Sequence, residues 1–180
     1  MDEHKAVIFD MDGVIVDSEA HHERAFLDTV AELGFGETHG IRFADYVGRS
    51  DRELWQDFQQ TNHTPHSLDE LRALKRERVT AILRREQPFF AGSLELVEKL
   101  AARCPLALAS GSERMVVDEV LKLRGLGRFF RATVSAVDVE RGKPEPDTFL
   151  RAAELLGVEP ADCWVIEDSK PGLAAAFAAG

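Results

Sequence analysis

Two aspartates stand two positions apart at the end of a short apolar run, in the sequence AVIFDMDG. In an extended chain Asp10 and Asp12 would point to the same side, and Gly13 permits a tight turn directly after them. Burying two carboxylates is costly unless a positive charge compensates them. The pair could therefore supply a nucleophile and an acid or base, or help to bind a cation.

More polar side chains follow other apolar runs of the chain. They are Ser110 after LALA, Glu167 and Asp168 after CWVI, and Lys143 a short loop after ATVSAV. In open parallel sheets, ligands bind outside the carboxyl ends of the strands. We therefore expect these residues to meet Asp10 and Asp12 at one edge of one sheet.

The expected cluster is suited to a phosphate ester and Mg²⁺. Magnesium uses few carboxylates together with waters and phosphate oxygens. Lys143 would add a positive charge near the same anion, and Ser110 with the backbone N–H of Gly111 would donate hydrogen bonds to phosphoryl oxygens.

The elements that would position these residues alternate along the chain. Apolar runs at 6–9, 105–109, 132–137 and 163–166 are separated by segments with helical spacing. This pattern predicts an α/β fold, a doubly wound Rossmann-like parallel sheet with helices on both faces. We expect Trp55 and Trp164 to lie in the core.

The segment 17–88 has no convincing strand and predicts an inserted all-helical cap, with helices over 19–33, 51–60 and 68–86 in a four-helix-type arrangement. Residues 1–16 and 89–180 would form the catalytic core. The basic side chains between 75 and 85 alternate with glutamates, which predicts a solvated helix face.

Composition and charge narrow the function classes. A formal net charge of -10 argues against nucleic-acid binding, which depends on clustered Lys and Arg. MDEHKAVIFD has too short an apolar run for a signal peptide or membrane span, so we expect a cytoplasmic protein without membrane attachment. Cys104 and Cys163 are expected to be buried structural thiols. Oligomeric state is not predicted.

The motifs DMDGV, Ser110, GKPEPD and EDS, in this order, resemble those of the haloacid dehalogenase-like hydrolases, in the phosphatase branch with a small helical cap. The resemblance extends over essentially the whole chain. It implies that Asp10 is a nucleophile forming an aspartyl-phosphate and that Asp12 is the acid and base. It also implies Mg²⁺ held by the Asp10 carboxylate, the Asp12 carbonyl and Asp168, with Glu167 close by.

The same resemblance extends to the cap. DSEAHHERAF is similar to a stretch of sugar-phosphate phosphatases and of beta-phosphoglucomutase, which implies that His22 faces the site. Arg49, in GRSDREL, is the candidate for an anion contact, and Lys75 is a third candidate for substrate binding. The mutases carry an arginine where this chain has Asp51.

We therefore expect Mg²⁺-dependent hydrolysis of a small phosphomonoester through an Asp10 aspartyl-phosphate. The resemblance to the sugar-phosphate phosphatases implies that the substrate is a sugar phosphate. Two alternatives remain open: a hexose-phosphate mutase and a non-catalytic phospho-ligand-binding protein. Asp12 argues against carbon–halogen or phosphonate cleavage, because those relatives lack this aspartate. Family members usually continue with a further strand beside the fourth, so we expect an unpaired sheet edge there.

Overall fold

The computed structural model describes residues 5–180. Four parallel strands form one sheet in the order β3-β2-β1-β4, with β1 at Ala6–Phe9, β2 at Leu106–Ala109, β3 at Ala132–Val134 and β4 at Cys163–Ile166. Phe9 pairs in register with Leu108 on one side and Ile166 on the other. The carboxyl ends of β1, β2 and β4 are therefore level.

Helices pack on both faces of this sheet. The core helices are α4 (Ser93–Ala101), α5 (Arg114–Lys122), α6 (Asp147–Leu156) and α7 (Lys170–Ala179). Val7 and Phe9 of β1 pack with apolar residues of α4 and α5, whereas Ile8 packs with those of α6 and α7. Alternate residues of a strand thus serve opposite layers, which confirms the predicted doubly wound α/β fold.

The cap is formed by α1 (Glu19–Glu32), α2 (Asp51–Thr61) and α3 (Leu68–Glu86). Phe26, Trp55, Phe58 and Leu71 are buried together and give it a core of its own. The cap is all-helical, but the expected four-helix-type arrangement is wrong. Two short 3₁₀ segments, Gly36–Thr38 and Phe43–Tyr46, lie between α1 and α2, where four glycines adopt positive φ angles.

The cap joins the core where two chain segments run side by side. Val16 forms an antiparallel bridge with Phe89, and the Asp17 N–H donates to the Pro88 carbonyl at 2.7 Å. The division at 16/17 and 88/89, proposed from the sequence, coincides with this paired connection, and the division itself remains a proposal.

Ion pairs connect α3 of the cap with α5 of the core. Arg72 and Arg76 both bind Glu113 at 2.8 Å, and Arg84 binds Glu119 at 2.7 Å. The prediction of a solvated basic face on α3 is therefore wrong for the buried Lys75, whereas Arg84 and Arg85 are 65% and 68% exposed as predicted. Sequence spacing predicted pairs within α3, whereas Arg76 and Arg84 pair with Glu113 and Glu119.

Three smaller expectations are also corrected. Trp164 is 59% exposed, because β4 is an outer strand of the sheet and the helices leave this side chain uncovered. Strand β3 ends at Val134 rather than at 137. Cys104 and Cys163 are free thiols that are half-buried rather than fully buried.

The N-terminal prediction concerns MDEHKAVIFD, and residues 1–4 of it lie outside the described residues. Within 5–180, none of the helices has the length and apolar content needed to cross a bilayer.

Candidate active site

Asp10 lies at the end of β1, where its backbone N–H donates to the Ile166 carbonyl at 2.9 Å. Its carboxylate is buried, and Lys143 Nζ lies 2.9 Å from Oδ1. Burial, with the negative charges of Glu167 and Asp12, raises the pKa of Asp10 to about 7, although Lys143 opposes this. The structure therefore brings the predicted nucleophile and the predicted lysine into contact.

Lys143 is itself buried between two carboxylates. Its ammonium lies 2.6 Å from Glu167 Oε2 and also faces the Phe149 ring at 5.0 Å from the ring centroid. Burial alone would lower the pKa of Lys143, but Asp10 and Glu167 raise it above its ordinary value. The lysine therefore stays charged and partly neutralises the two acids.

Asp12 accepts hydrogen bonds from three serines. Ser18 donates to Oδ1, while Ser110 and Ser112 donate to Oδ2 at 3.2 and 2.8 Å. His22 Nε2 lies 3.3 Å from Oδ1. Burial would raise the pKa of Asp12, but His22, Ser18 and Ser112 outweigh it and hold the pKa below its ordinary value.

Ser110 was predicted to contact the phosphoryl group, but Ser112 is the serine after β2 that lines the pocket. Ser110 is fully buried behind the pocket and also accepts from the Ser112 N–H at 3.0 Å. Ser112 and Gly111 line the pocket instead. The N-cap of α5 is Glu113, whereas Ser169 caps α7 by accepting from the Gly172 N–H.

Carboxylate oxygens of Asp10, Glu167 and Asp168 lie within 4.8 Å of one another. Asp10 Oδ1 is buried and makes no hydrogen bond of acceptable geometry despite the nearby lysine. Burial and the Glu167 charge raise the pKa of Asp168, which indicates that the negative charge of these three carboxylates is not fully compensated. A hard divalent cation such as Mg²⁺ fits this all-oxygen set.

Two glycines allow these acids to approach. A Cβ on Gly13 would lie 2.0 Å from Asp168 Oδ2, and one on Gly172 would lie 2.0 Å from Glu167 Cδ. Glu167 is already engaged, because its Oε1 accepts from the Ser169 hydroxyl at 2.7 Å while Oε2 binds Lys143. It is placed to orient Lys143 as much as to bind a metal.

The predicted cap residues lie opposite the strand ends. Lys75 is fully buried and binds the carboxylate of Asp51, and its Nζ lies 3.3 Å from His22 Nδ1. Burial would raise the pKa of Asp51, but Lys75 and His22 hold it below its ordinary value. The charge of Lys75 is therefore already compensated within the cap.

Arg49 also has a partner. It binds Glu53 one helical turn on, and its guanidinium faces the Tyr46 ring at 5.7 Å from the centroid. The arginine side chain remains 42% exposed. It lines the pocket, but its charge is shared with Glu53.

One pocket is lined by residues of both the core and the cap. The core contributes Asp10, Asp12, Gly13, Gly111, Ser112, Lys143, Asp168 and Ser169, and the cap contributes Glu19, His22, Phe43, Tyr46, Val47, Gly48, Arg49, Asp51 and Lys75. Sequence reasoning missed Ser18, Ser112, Asp51 and Tyr46 as site residues. The repeated serine in SGS was a usable signal for Ser112, whereas the contact between Asp51 and Lys75 depends on helix packing.

The family model for haloacid dehalogenase-like hydrolases matches residues 4–180. The chain belongs to this family.

Two phosphatases of Escherichia coli K12 match nearly the whole of this chain. Fructose-1-phosphate phosphatase YqaB of Escherichia coli K12 is 33% identical, over 97% of this chain and 92% of the relative. Hexitol phosphatase B of the same strain is 34% identical, over 97% of this chain and 79% of the relative. The chain is thus a phosphoric monoester hydrolase similar to sugar-phosphate phosphatases.

Among solved structures, CbbY from Rhodobacter sphaeroides in complex with xylulose-(1,5)bisphosphate superposes with a TM-score of 0.87 and 26% identity. The match includes all of this chain and 84% of that chain. The similarity includes the helical cap as well as the sheet.

Proposed function

We propose that this chain is a Mg²⁺-dependent phosphatase that hydrolyses a sugar phosphate or similar small phosphomonoester through an Asp10 aspartyl-phosphate. The observation that carries the proposal is the contact of buried Asp10 with Lys143, beside Asp12 and the acidic group that includes Asp168. The named phosphatase relatives support the substrate class.

In the first step an Asp10 oxygen attacks phosphorus and the ester P–O bond breaks. Asp12 gives a proton to the leaving oxygen. Asp12 is held ionised by its neighbours, but a phosphate dianion brought beside it would raise its pKa and favour the protonated form. Lys143, Ser112 and the Gly111 N–H would bind the phosphoryl oxygens.

In the second step water attacks phosphorus, Asp12 takes its proton, and the bond between phosphorus and the Asp10 oxygen breaks. Inorganic phosphate leaves and the Asp10 carboxylate is restored. Mg²⁺, held by Asp10, the Asp12 carbonyl and Asp168, would supply positive charge to the reacting phosphoryl group. His22 lies close enough to Asp12 to orient it during both proton transfers.

The hexose-phosphate mutase is less favoured, because the position of the mutase arginine holds Asp51, which is paired with Lys75. A non-catalytic binding protein is not retained, since the chain belongs to a hydrolase family.

The test is phosphate release from fructose 1-phosphate, a hexitol phosphate, p-nitrophenyl phosphate and AMP, with Mg²⁺ or with EDTA. Wild type should release phosphate only with Mg²⁺, and Asp10→Asn should lose this activity. Asp28→Asn, the same change on an exposed part of α1, should retain it. Equal release by Asp10→Asn and wild type would refute the proposed nucleophile, and isomerisation of a hexose phosphate without release would favour the mutase.

A further inference from the structure

The cap half of the pocket contains an acidic group that the hydrolytic mechanism does not use. Asp51 is the first residue of α2 and lines the same pocket as Asp10, Ser112 and Asp168. Its side chain is 23% exposed, so part of the carboxylate faces the space that the non-phosphate end of a substrate would occupy.

The cationic side chains of this half are already paired. Lys75, fully buried, binds Asp51, and Arg49 binds Glu53. Glu19 adds a further carboxylate to the lining. Among the described residues that line this pocket, the lysine and arginine of the cap half therefore leave no surplus positive charge for a second phosphate group.

The core half differs because a divalent cation can add charge there. Among the residues in 5–180, the acidic cluster suited to a metal is Asp10, Glu167 and Asp168, and the Asp51 region is not part of it. A phosphate placed against Asp51 would meet a carboxylate that already uses the charge of Lys75, with Glu19 as a further carboxylate in the lining, and like charges in a partly buried site repel strongly.

Asp51 has a suitable alternative partner in a sugar hydroxyl. Lys75 engages Oδ1, and within the described part of the chain no hydrogen bond is made to Oδ2. An ionised carboxylate accepts hydrogen bonds but donates none. Oδ2 can therefore accept from a hydroxyl group, and a site built to bind a hydroxyl discriminates against analogues that lack it.

We propose that Asp51 sets the substrate class, selecting a monophosphate whose far end carries free hydroxyl groups and rejecting a bisphosphate of the same skeleton. This inference rests on the proposed phosphatase function. Asp51 acts on specificity and takes no part in the bond-breaking steps.

The experiment compares kcat/KM for fructose 1-phosphate and fructose 1,6-bisphosphate, which differ at carbon 6 by a hydroxyl against a phosphate. Wild type should favour the monophosphate by roughly tenfold or more, and Asp51→Asn should reduce that ratio by about tenfold, because it removes the charge. Asp51→Glu should keep the ratio above that of Asp51→Asn. Asp28→Asn, which removes one exposed charge from the cap, should leave the ratio within about twofold of wild type.

Hydrolysis of p-nitrophenyl phosphate distinguishes a failure of the proposed role of Asp51 from a failure of the proposed phosphatase function. If all variants hydrolyse it but wild type shows no preference between the fructose phosphates, the role of Asp51 is refuted while the phosphatase stands. An unchanged ratio in Asp51→Asn refutes it as well. If wild type hydrolyses none of the three compounds with Mg²⁺, the proposed function itself fails. Should Asp51→Asn not fold, the wild-type preference and Asp51→Glu still decide the question.

Discussion

The two halves of the pocket are held in place by different forces. In the core half, the residues follow strands whose ends are level because backbone hydrogen bonds set the register, as for Asp10 and Glu167. In the cap half, His22, Asp51 and Lys75 come from three helices and meet only through their side chains. The core half can thus preserve one chemistry while the cap half changes substrate by small changes of side chain.

After Asp10→Asn, replacing Lys143 by Met should have the largest effect on kcat. The change removes the positive charge between Asp10 and Glu167, and loss of one charge that stabilises a transition state lowers kcat by roughly a hundredfold to a thousandfold. Steady-state phosphate release measures this.

Lys122→Met, on the last turn of α5, removes the same charge elsewhere and is the matched control. A Lys143→Met enzyme with more than half of the wild-type kcat would show that the core half does not depend on this lysine.

Gly172→Ala tests whether the close approach of the α7 backbone to Glu167 is needed to position the core residues of the pocket. The new Cβ would lie 2.0 Å from Glu167 Cδ, so Glu167 must move and Lys143 with it. We expect a loss of about 1–3 kcal/mol in the free energy of unfolding, as for overpacked sites, together with lower kcat. Denaturant unfolding and kinetics measure the two effects.

The matched control is Gly142→Ala, where a Cβ meets nothing within 4 Å and φ is not positive. It adjoins Lys143 in the chain, so it also tests whether any change near this lysine is harmful. Equal losses in the two variants would contradict the importance of the Gly172 contact.

The same contrast explains what could be predicted from the sequence. Strand-end residues such as Asp10 and Asp168 were predictable, because apolar runs identify the strands and parallel topology brings their ends together. The partners of Lys75 and Arg76 were not, because they depend on how helices distant in sequence pack. Trp164 was misassigned since an apolar residue on an outer strand looks like one in the core.

Glu113→Gln tests the attachment of the cap to the core. Glu113 is buried and binds Arg72 and Arg76, so the variant removes the anionic partner of the partly buried Arg76 and leaves Arg72 only its contact with the exposed Asp69. We expect KM to rise a few-fold with a smaller change in kcat, because the cap would close less firmly over the substrate. Glu77→Gln, an exposed position on α3, is the control. A larger effect on kcat than on KM would assign Glu113 to the chemistry instead.

Ser67→Ala should have the smallest effect and act on the cap alone. Ser67 accepts from the Glu70 N–H and Glu70 accepts from the Ser67 N–H, a capping box at the start of α3. Its loss should lower the free energy of unfolding by roughly 1 kcal/mol. Ser50→Ala, at the N-cap of α2 without a side-chain capping bond, should lower the free energy of unfolding by less. Thermal unfolding of the two variants measures the difference.

The pH dependence of the Ser67→Ala effect gives a further test. Hydrogen bonds from the Ser67 backbone and hydroxyl lower the pKa of Glu70 in the folded protein. The stabilisation is therefore present above the unfolded-state pKa and is lost as pH falls through the lower folded pKa. The difference in unfolding free energy between wild type and Ser67→Ala should narrow in acid, and a difference that stays constant or widens there would contradict a contribution of the ionised Glu70 to the cap.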